Sequence, residues 1–300
     1  MKKNVSYEKL LRRVYIRRAL VYTILVLLTA LIVLRAVFSV LDAQGRKNVP
    51  FCLSIFDVGQ SDAALLQCDG QAMLIDTGVA TEERSLLAEL SYRGIERLDY
   101  LVLTHPHEDH IGNARVVMDR YEVGHVLVPD TESAELGYTL TLNTASERAG
   151  ELYTVKRGDR FTLGTAEIEV LLAGGNHKNI NNDSIVLRVT YKGLVLLFMG
   201  DAESEVEEEL IATYDAAYLD CDFLKVGHHG SNTATSKELL AVTTPALAAI
   251  GCGELNEYGF PHREVTEALA EVGAAVWRTD LDGTLAFMVD QEGRLYKSED

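Results

Sequence analysis

The segment THPHEDHIGN, residues 104–113, places three imidazoles and the carboxylate of Asp109 within six positions, directly after a short apolar run. Residues i and i+2 of an extended chain point to the same side, so His105 and His107 can hold one cation. Asp109 and His110 fall where a helix is expected to begin, and they can hold a second cation. Two metal ions about 3.5–4 Å apart can activate a water and clamp the attacking and leaving oxygens.

Two further segments place metal-binding side chains after apolar strand-like runs. LLFMGDAE brings Asp201 to the end of one run, where a carboxylate can bridge two ions, and LKVGHHGS brings His228 and His229 to the end of another. Each alone could be structural, as a hydrogen-bonded buried histidine or a helix-capping aspartate. All three segments together indicate a site for two metal ions.

The charge distribution separates a basic N-terminal segment from an acidic body. The 300-residue chain has a formal net charge of −17 and a pI near 4.9. Residues 1–47 hold ten of the 28 Lys and Arg but two of the 45 Asp and Glu, which leaves a net charge of −25 for the remainder. A hydrophobic share of 47% over this length is ordinary for a globular protein.

The apolar stretch 19–41 carries one charge, Arg35, and is long enough to cross a bilayer. A cleaved signal peptide is the rival interpretation, but its apolar core usually has about 7–15 residues. Seven Lys and Arg precede the stretch and two closely follow it, so the positive-inside rule predicts a single-pass cell-membrane protein. We expect a cytoplasmic basic segment at 1–18, a polar linker at 42–50 and an extracytoplasmic body at 51–300.

The body reads as one domain in which strands interleave with helices, which favours an α+β fold of two sheets with helices on their outer faces. The pattern predicts a helix at 111–121, an ambiguous helix and loop at 131–150, one strand at 160–171 and a final strand pair at 274–289.

Four cysteines are too few for a disulfide framework. Cys52 and Cys68 would be near cross-strand neighbours in a hairpin, and whether they are bonded stays open.

The His-x-His-x-Asp-His pattern resembles the metallo-β-lactamase fold, a four-layer αββα sandwich of two-metal hydrolases. More narrowly, the segments FDVGQSDAALLQ, MLIDTG, THPHEDHIGN, NNDSIVLRVTYKGLVLLFMGDAE, LKVGHHGSNTATSKELL and NEYGFPHREV resemble the hydrolase domain of the DNA-uptake protein ComEC and its stand-alone relatives. The resemblance runs in order from residue 51 to about residue 290.

The resemblance implies six metal ligands. His105 and His107 would bind one ion, and Asp201 would bridge to a second ion bound by the remaining three, which are Asp109, His110 and His228. Asp109 would also act in catalysis.

The resemblance also implies residues around the ligands. Asp76 would orient a ligand, and His229, Asn182 and Ser184 would lie near the substrate. Phe260 stands where a histidine is common, which leaves His262 as the polar candidate there.

The third histidine ligand that many metallo-β-lactamases carry before the bridging aspartate is missing. The ComEC-like subgroup likewise uses asparagine in that interval, and His177 is an alternative ligand. The first metal site could thus be short of one protein ligand.

Imidazoles and carboxylates without a thiolate suit zinc, manganese or iron. Zinc is the expected metal for this fold, and manganese is an alternative for a phosphodiesterase.

A two-metal phosphodiesterase or nuclease is the function that the resemblance favours, with single-stranded DNA as a candidate substrate. The net charge of −25 argues against a polyanion, because Lys and Arg supply most nucleic-acid affinity. Five basic residues could still gather at the site: Lys178, Arg188, Lys192, Lys225 and Lys237. The alternatives are a small phosphoester, such as phosphocholine on an envelope polymer, and a non-catalytic metal-binding module. With one predicted span, the chain is not expected to form a DNA channel itself, and its protein partners are unknown.

Overall fold

The computed structural model describes residues 2–47 and 49–298, which divide into two compact units with the boundary between Arg46 and Lys47. The first unit is one helix, α1 (Lys2–Lys47), which continues through most of the predicted linker. Its stretch Tyr15–Arg35 has a mean hydropathy of 2.1 and is long and apolar enough to cross a membrane. A signal sequence would meet the same criteria of length and composition.

The second unit, called here the sheet unit, contains two sheets within the described residues. The eight-stranded sheet has the order β15-β14-β1-β2-β3-β4-β5-β6. Its strands are β1 (Phe51–Ile55), β2 (Ala64–Cys68), β3 (Gln71–Ile75), β4 (Arg97–Val102), β5 (Glu122–Pro129), β6 (Glu151–Val155), β14 (Leu285–Val289) and β15 (Leu295–Lys297).

The seven-stranded sheet of the described chain has the order β13-β12-β11-β10-β9-β8-β7. Its strands are β7 (Arg160–Leu163), β8 (Ala166–Leu172), β9 (Val186–Tyr191), β10 (Leu194–Phe198), β11 (Phe223–Lys225), β12 (Leu247–Ile250) and β13 (Ala275–Arg278).

The helices of the sheet unit complete the four layers. They are α2 (Glu83–Tyr92), α3 (Glu108–Ile111), α4 (Ala114–Arg120), α5 (Leu136–Arg148), α6 (Ser204–Thr213), α7 (Ala216–Leu219), α8 (Lys237–Thr243), α9 (Arg263–Glu271) and α10 (Thr279–Asp282). One apolar core lies between the sheets, where Phe51 stacks on Tyr191. A second core packs α2, α4 and α5 on the first sheet, and a third packs α6, α8 and α9 on the other. The predicted αββα sandwich is confirmed.

Several local predictions need correction. The strands near 274–289 do not pair with each other, because β13 runs parallel to β12 and β14 runs antiparallel to β1, in the other sheet. The single strand predicted at 160–171 is the hairpin β7–β8, which turns at Gly164 with φ +55°. The helix predicted at 111–121 is two short helices, α3 and α4, and the ambiguous 131–150 segment contains α5.

Cys52 and Cys68 are not joined by a disulfide. The register of β1 and β2 pairs Cys52 with Gln67 and Phe51 with Cys68. Neighbouring positions on a strand point to opposite faces, so the two thiols lie on opposite sides of the sheet.

Candidate metal centre

The turn from β4 into α3 brings two imidazole nitrogens together. His105 is fully buried, and its Nε2 lies 3.1 Å from Nδ1 of His107. Nδ1 of His105 lies 3.2 Å from the Thr104 hydroxyl, on the opposite side of the ring. The two histidines therefore present converging nitrogens, as expected from their i, i+2 spacing.

His110 is held in one tautomer by a buried carboxylate. Its Nδ1 lies 2.8 Å from Oδ2 of Asp76 and donates to it, because a carboxylate only accepts. Asp76 also accepts from the backbone N–H and the hydroxyl of Thr104. A neutral His110 would therefore carry its lone pair on Nε2, the atom that faces Oδ1 of Asp201 at 3.3 Å.

Asp201 occupies the centre of the histidine cluster. Its Oδ2 lies 3.8 Å from Nε2 of His105, 3.7 Å from Nε2 of His228 and 3.8 Å from Nε2 of His229. Its backbone N–H donates to the Ser184 hydroxyl at 3.0 Å, which fixes the start of the turn after β10.

Gly200, just before Asp201, permits this close approach. It has φ +55°, and a Cβ there would lie 2.9 Å from the side chain of Ser184.

The segment after β11 turns the two adjacent histidines in different directions. His228 and His229 both have left-handed backbone angles, with φ 47° and 52°, which are uncommon for side chains of this size. Nδ1 of His229 donates to the Gly251 carbonyl at 2.9 Å, and its Nε2 lies 3.2 Å from Oδ2 of Asp109.

His228 is partly exposed, and its ring faces Glu203 and Asn181. Its Nδ1 lies 3.2 Å from Oε1 of Glu203, and its Nε2 lies 3.5 Å from the side-chain amide of Asn181. The structure thus places His229 beside Asp109 and His110, where the resemblance implied His228.

The unpaired atoms at the centre of this cluster fit a bound cation. Among the described side chains, Nε2 of His110 and Oδ1 of Asp201 are buried without a hydrogen-bond partner. Ligand atoms of Asp62, His110, Asp201 and His229 lie within 4.8 Å of one another. Buried polar atoms normally have partners, so these atoms are arranged for a cation.

The electrostatics of the cluster also favour a bound cation. Burial alone would lower the pKa of His110, but Asp201 and Asp76 raise it well above the usual value. Burial would raise the pKa of Asp109, whereas His110 and His229 hold it at about 2. The pKa of Asp201 is likewise held well below its usual value by His110 and His229, so Asp109 and Asp201 remain charged and create a negative potential that attracts cations.

The other sequence-predicted residues surround the cluster at different distances. Asn182 binds the segment that follows Asp201: its side-chain oxygen accepts from the Glu203 N–H at 2.9 Å, and its side-chain nitrogen donates to Glu205 at 3.0 Å. His262 accepts from the Asn232 N–H through Nδ1 at 2.9 Å. His177 is tied to Asp183 at 2.8 Å.

Asn181 and Asp62 lie at the cluster and were missed by the sequence reasoning, whereas Lys225 was considered there only as a basic residue. Asn181, not Asn182, approaches His228, and its buried Oδ1 has no hydrogen-bond partner. Asp62 lies 3.6 Å from Nδ1 of His229, and Nζ of Lys225 donates to Asp62 at 2.7 Å. The ring of His229 separates Asp62 from Asp109, so Asp62 is placed to orient the imidazole. The apolar neighbours of Asp62 in QSDAALL were the available signal of its burial.

Of the five basic residues that could gather at the site, Lys225 lies beside the cluster, and three others make their contacts elsewhere. Lys225 is buried in its ion pair with Asp62, and Lys237 pairs with Glu271 on the surface. Arg188 donates to the Tyr218 carbonyl, and Lys192 lies over the ring of Tyr191.

Lys178 is exposed on the loop that leads to Asn181.

Comparisons with known proteins agree with this architecture. The chain is 31% identical to ComE operon protein 3 of Bacillus subtilis (strain 168) over 254 residues, which cover 78% of this chain and 32% of that protein. It is 31% identical to Competence protein ComA of Neisseria gonorrhoeae over 254 residues, which cover 82% of this chain and 34% of that protein. The chain thus spans about a third of the length of these relatives.

Among solved structures, CmlA, a diiron beta-hydroxylase from Streptomyces venezuelae, superposes with a TM-score of 0.56 at 15% identity, covering 80% of this chain and 54% of that one. This likeness concerns the fold alone. A family model described as the metallo-beta-lactamase superfamily matches residues 56–253, which include the whole histidine and aspartate cluster. With the two packed sheets and the metal-binding geometry at their strand ends, this match shows that the chain belongs to the metallo-beta-lactamase superfamily.

Proposed function

We propose that the chain is a two-metal phosphodiesterase of the ComEC-like type. The observation that carries the proposal is a pair of buried atoms without a hydrogen bond, Nε2 of His110 and Oδ1 of Asp201, which face each other at 3.3 Å at the centre of the cluster. A hydrolase needs such atoms aimed at a metal, whereas a purely structural core would satisfy them internally.

The first of the two proposed ions would be held by Nε2 of His105 and Nδ1 of His107, which converge at 3.1 Å. Asn181 and His228 lie on that side and would complete the ligand set, in place of the missing third histidine.

The second ion would be held by Asp109, His110 and His229, with Asp201 between the two positions. This assignment exchanges the roles that the resemblance implied for His228 and His229. Zinc is the expected metal and manganese the alternative, because the donors are imidazoles and carboxylates.

Bound there, two divalent ions would supply a water nucleophile at neutral pH and neutralise charge on the phosphoryl oxygens. The protein residues hold the ligands in the right orientation and protonation state. Asp76 and the Gly251 carbonyl accept the Nδ1 protons of His110 and His229, which leaves Nε2 as the atom through which each neutral imidazole would bind an ion. Ser184 positions Asp201 through its backbone N–H.

The reaction is tested with the full chain in detergent, stripped with a chelator and reloaded with zinc or manganese. We expect two ions per chain by elemental analysis and metal-dependent cleavage of bis-p-nitrophenyl phosphate. His110→Ala should abolish cleavage and lower the metal content. His125→Ala is the matched control, because that imidazole is exposed and pairs with Glu151 instead.

Absence of bound metal in the reloaded wild-type protein would reject the site. Two bound ions without phosphodiester cleavage would support the non-catalytic metal-binding module.

The substrate class is a separate proposal. The competence proteins to which the chain is similar favour DNA, while the net charge of −25 outside residues 1–47 favours a small phosphoester such as phosphocholine. Competition between single-stranded DNA and a small phosphodiester for the same metal-loaded protein distinguishes these substrates.

We further propose that α1 anchors the chain in the cell membrane with its N-terminus in the cytoplasm and the sheet unit outside. The basic residues that precede the span Tyr15–Arg35 support this orientation. Protease added to intact cells should digest the sheet unit, and full protection beside a digested surface control would reverse the assignment.

A further inference from the structure

Two aromatic rings extend the metal cluster toward solvent. The ring of Phe260 stacks on His229 with centroids 6.3 Å apart and an interplanar angle of 22°. Tyr258 stacks on Phe260 at 5.4 Å and 17°, and 59% of Tyr258 is exposed. The edge of Phe260 also meets the ring of His228 at 5.6 Å. A continuous stack therefore leads from solvent to the imidazole that faces Asp109.

The loop that carries these rings is held by its own hydrogen bonds. The Asn256 side chain donates to the carbonyls of Gly253 and Phe260 and accepts from the Phe260 N–H at 2.8 Å. At the end of the loop, the His262 N–H donates to the Gly230 carbonyl. The aromatic stack is thus formed before any ligand arrives, which lowers the entropic cost of binding to it.

The geometry and charge of the loop select the kind of ligand. The near-parallel rings of Tyr258 and Phe260 do not surround a cation, so they do not form the aromatic cage that recognises quaternary ammonium groups. The segment 252–262 contains Glu254 and Glu257 and no Lys or Arg, so it offers no cationic group to a phosphate backbone. A flat, uncharged aromatic ligand fits both features.

We propose that Tyr258 and Phe260 form a stacking subsite for a nucleobase next to the phosphodiester that is cleaved. The proposal rests on the proposed phosphodiesterase function and names its substrate class as single-stranded nucleic acid. Bases in a duplex are already stacked on each other, whereas an unpaired base can lie on an exposed ring. Stacking tolerates any base, so the subsite recognises single strands without sequence preference.

The experiment compares two oligomers of equal length and charge, oligothymidylate and its abasic counterpart, on the metal-loaded full chain. Dye-labelled forms report binding by fluorescence anisotropy, and unlabelled forms report cleavage. We expect the wild-type protein to prefer oligothymidylate by about tenfold, the size of one base stacked on an aromatic side chain. Tyr258→Ala should remove most of that preference, and Tyr258→Phe should keep it because the ring remains.

Tyr153→Ala is the matched control, since Tyr153 is an exposed tyrosine on β6 and lies outside the stack. An equal affinity of the wild-type protein for both oligomers would overturn the subsite, whether or not cleavage occurs. Failure to cleave either oligomer or bis-p-nitrophenyl phosphate would instead count against the proposed function. If the wild-type protein cleaves p-nitrophenyl phosphorylcholine faster than bis-p-nitrophenyl phosphate, and Tyr258→Ala removes that difference, the rings form a choline site. That result would overturn the nucleobase assignment.

Discussion

Replacing Lys225 with methionine should destabilise the sheet unit far more than the loss of a surface lysine. Lys225 is 4% exposed and Asp62 is 5% exposed, and Nζ donates to the carboxylate at 2.7 Å. Burial would raise the pKa of Asp62, but Lys225 and His229 hold it below its usual range, so Asp62 is charged in the folded protein. Methionine would fill similar space and leave that charge buried without its closest cation, with the His229 ring 3.6 Å away.

The magnitude follows from the burial of both partners. Removing one member of a fully buried ion pair costs about 3–5 kcal/mol, because the remaining charge stays desolvated. We therefore expect Lys225→Met to lower the free energy of unfolding by about 3–5 kcal/mol. The double variant Lys225→Met with Asp62→Asn should recover about 2 kcal/mol or more, since a neutral amide replaces the unpaired carboxylate.

The assay is denaturant unfolding of the full chain in detergent, followed by the fluorescence of Trp277. Lys237→Met is the matched control, because Lys237 and Glu271 form an ion pair with side chains 66% and 60% exposed. Such exposed pairs contribute about 0–1 kcal/mol. A loss for Lys225→Met no larger than the control loss would refute the argument that Asp62 is charged and depends on Lys225.

Three other outcomes are expected. Gly112→Ala should lower the free energy of unfolding by about 2 kcal/mol or more, because the added Cβ would lie 2.5–2.8 Å from three backbone atoms. Gly137→Ala is the control, since no atom lies within 4 Å of a Cβ there. It should change the free energy of unfolding by less than about 1 kcal/mol in the same denaturant titration. Asp76→Asn should weaken metal affinity by about 10–100-fold in a chelator competition, since His110 loses the carboxylate that orients it, and unchanged affinity would contradict this role. All four cysteines are buried, and burial raises the pKa of the Cys252 thiol to about 12, so a thiol reagent at pH 8 should label the native protein slowly and the unfolded protein fully. Rapid labelling of the native protein would show that the thiols are accessible.

The site was predictable from the sequence where local chain geometry controls direction. His105 and His107 converge, as their i, i+2 spacing predicted, although the chain bends at His105 and Pro106 instead of continuing as an extended strand. Apolar runs before the three polar segments predicted strand ends, and the polar segments do follow β4, β10 and β11. The αββα architecture was reached from the interleaving of strands and helices together with the family resemblance.

The sequence pattern did not predict which distant strands pair with each other. The strands β13 and β14 are neighbours in sequence, yet they belong to different sheets. Their apolar patterns fit either sheet, so the choice depends on contacts with parts of the chain that are distant in sequence.

Amino-acid sequence alone determined which residue types reach the site, through the spacing of histidines and aspartates and the apolar runs before them. Only the tertiary structure shows which of the adjacent His228 and His229 lies beside Asp109, because both have left-handed backbone angles and the alternation of a strand does not apply to them. The Gly251 carbonyl orients His229 by accepting its Nδ1 proton. Asp62 lies beside the same ring and pairs with Lys225, which is 163 residues away along the chain. Such contacts form only when the ends of two separate sheets meet, and no local pattern encodes which side chains then touch.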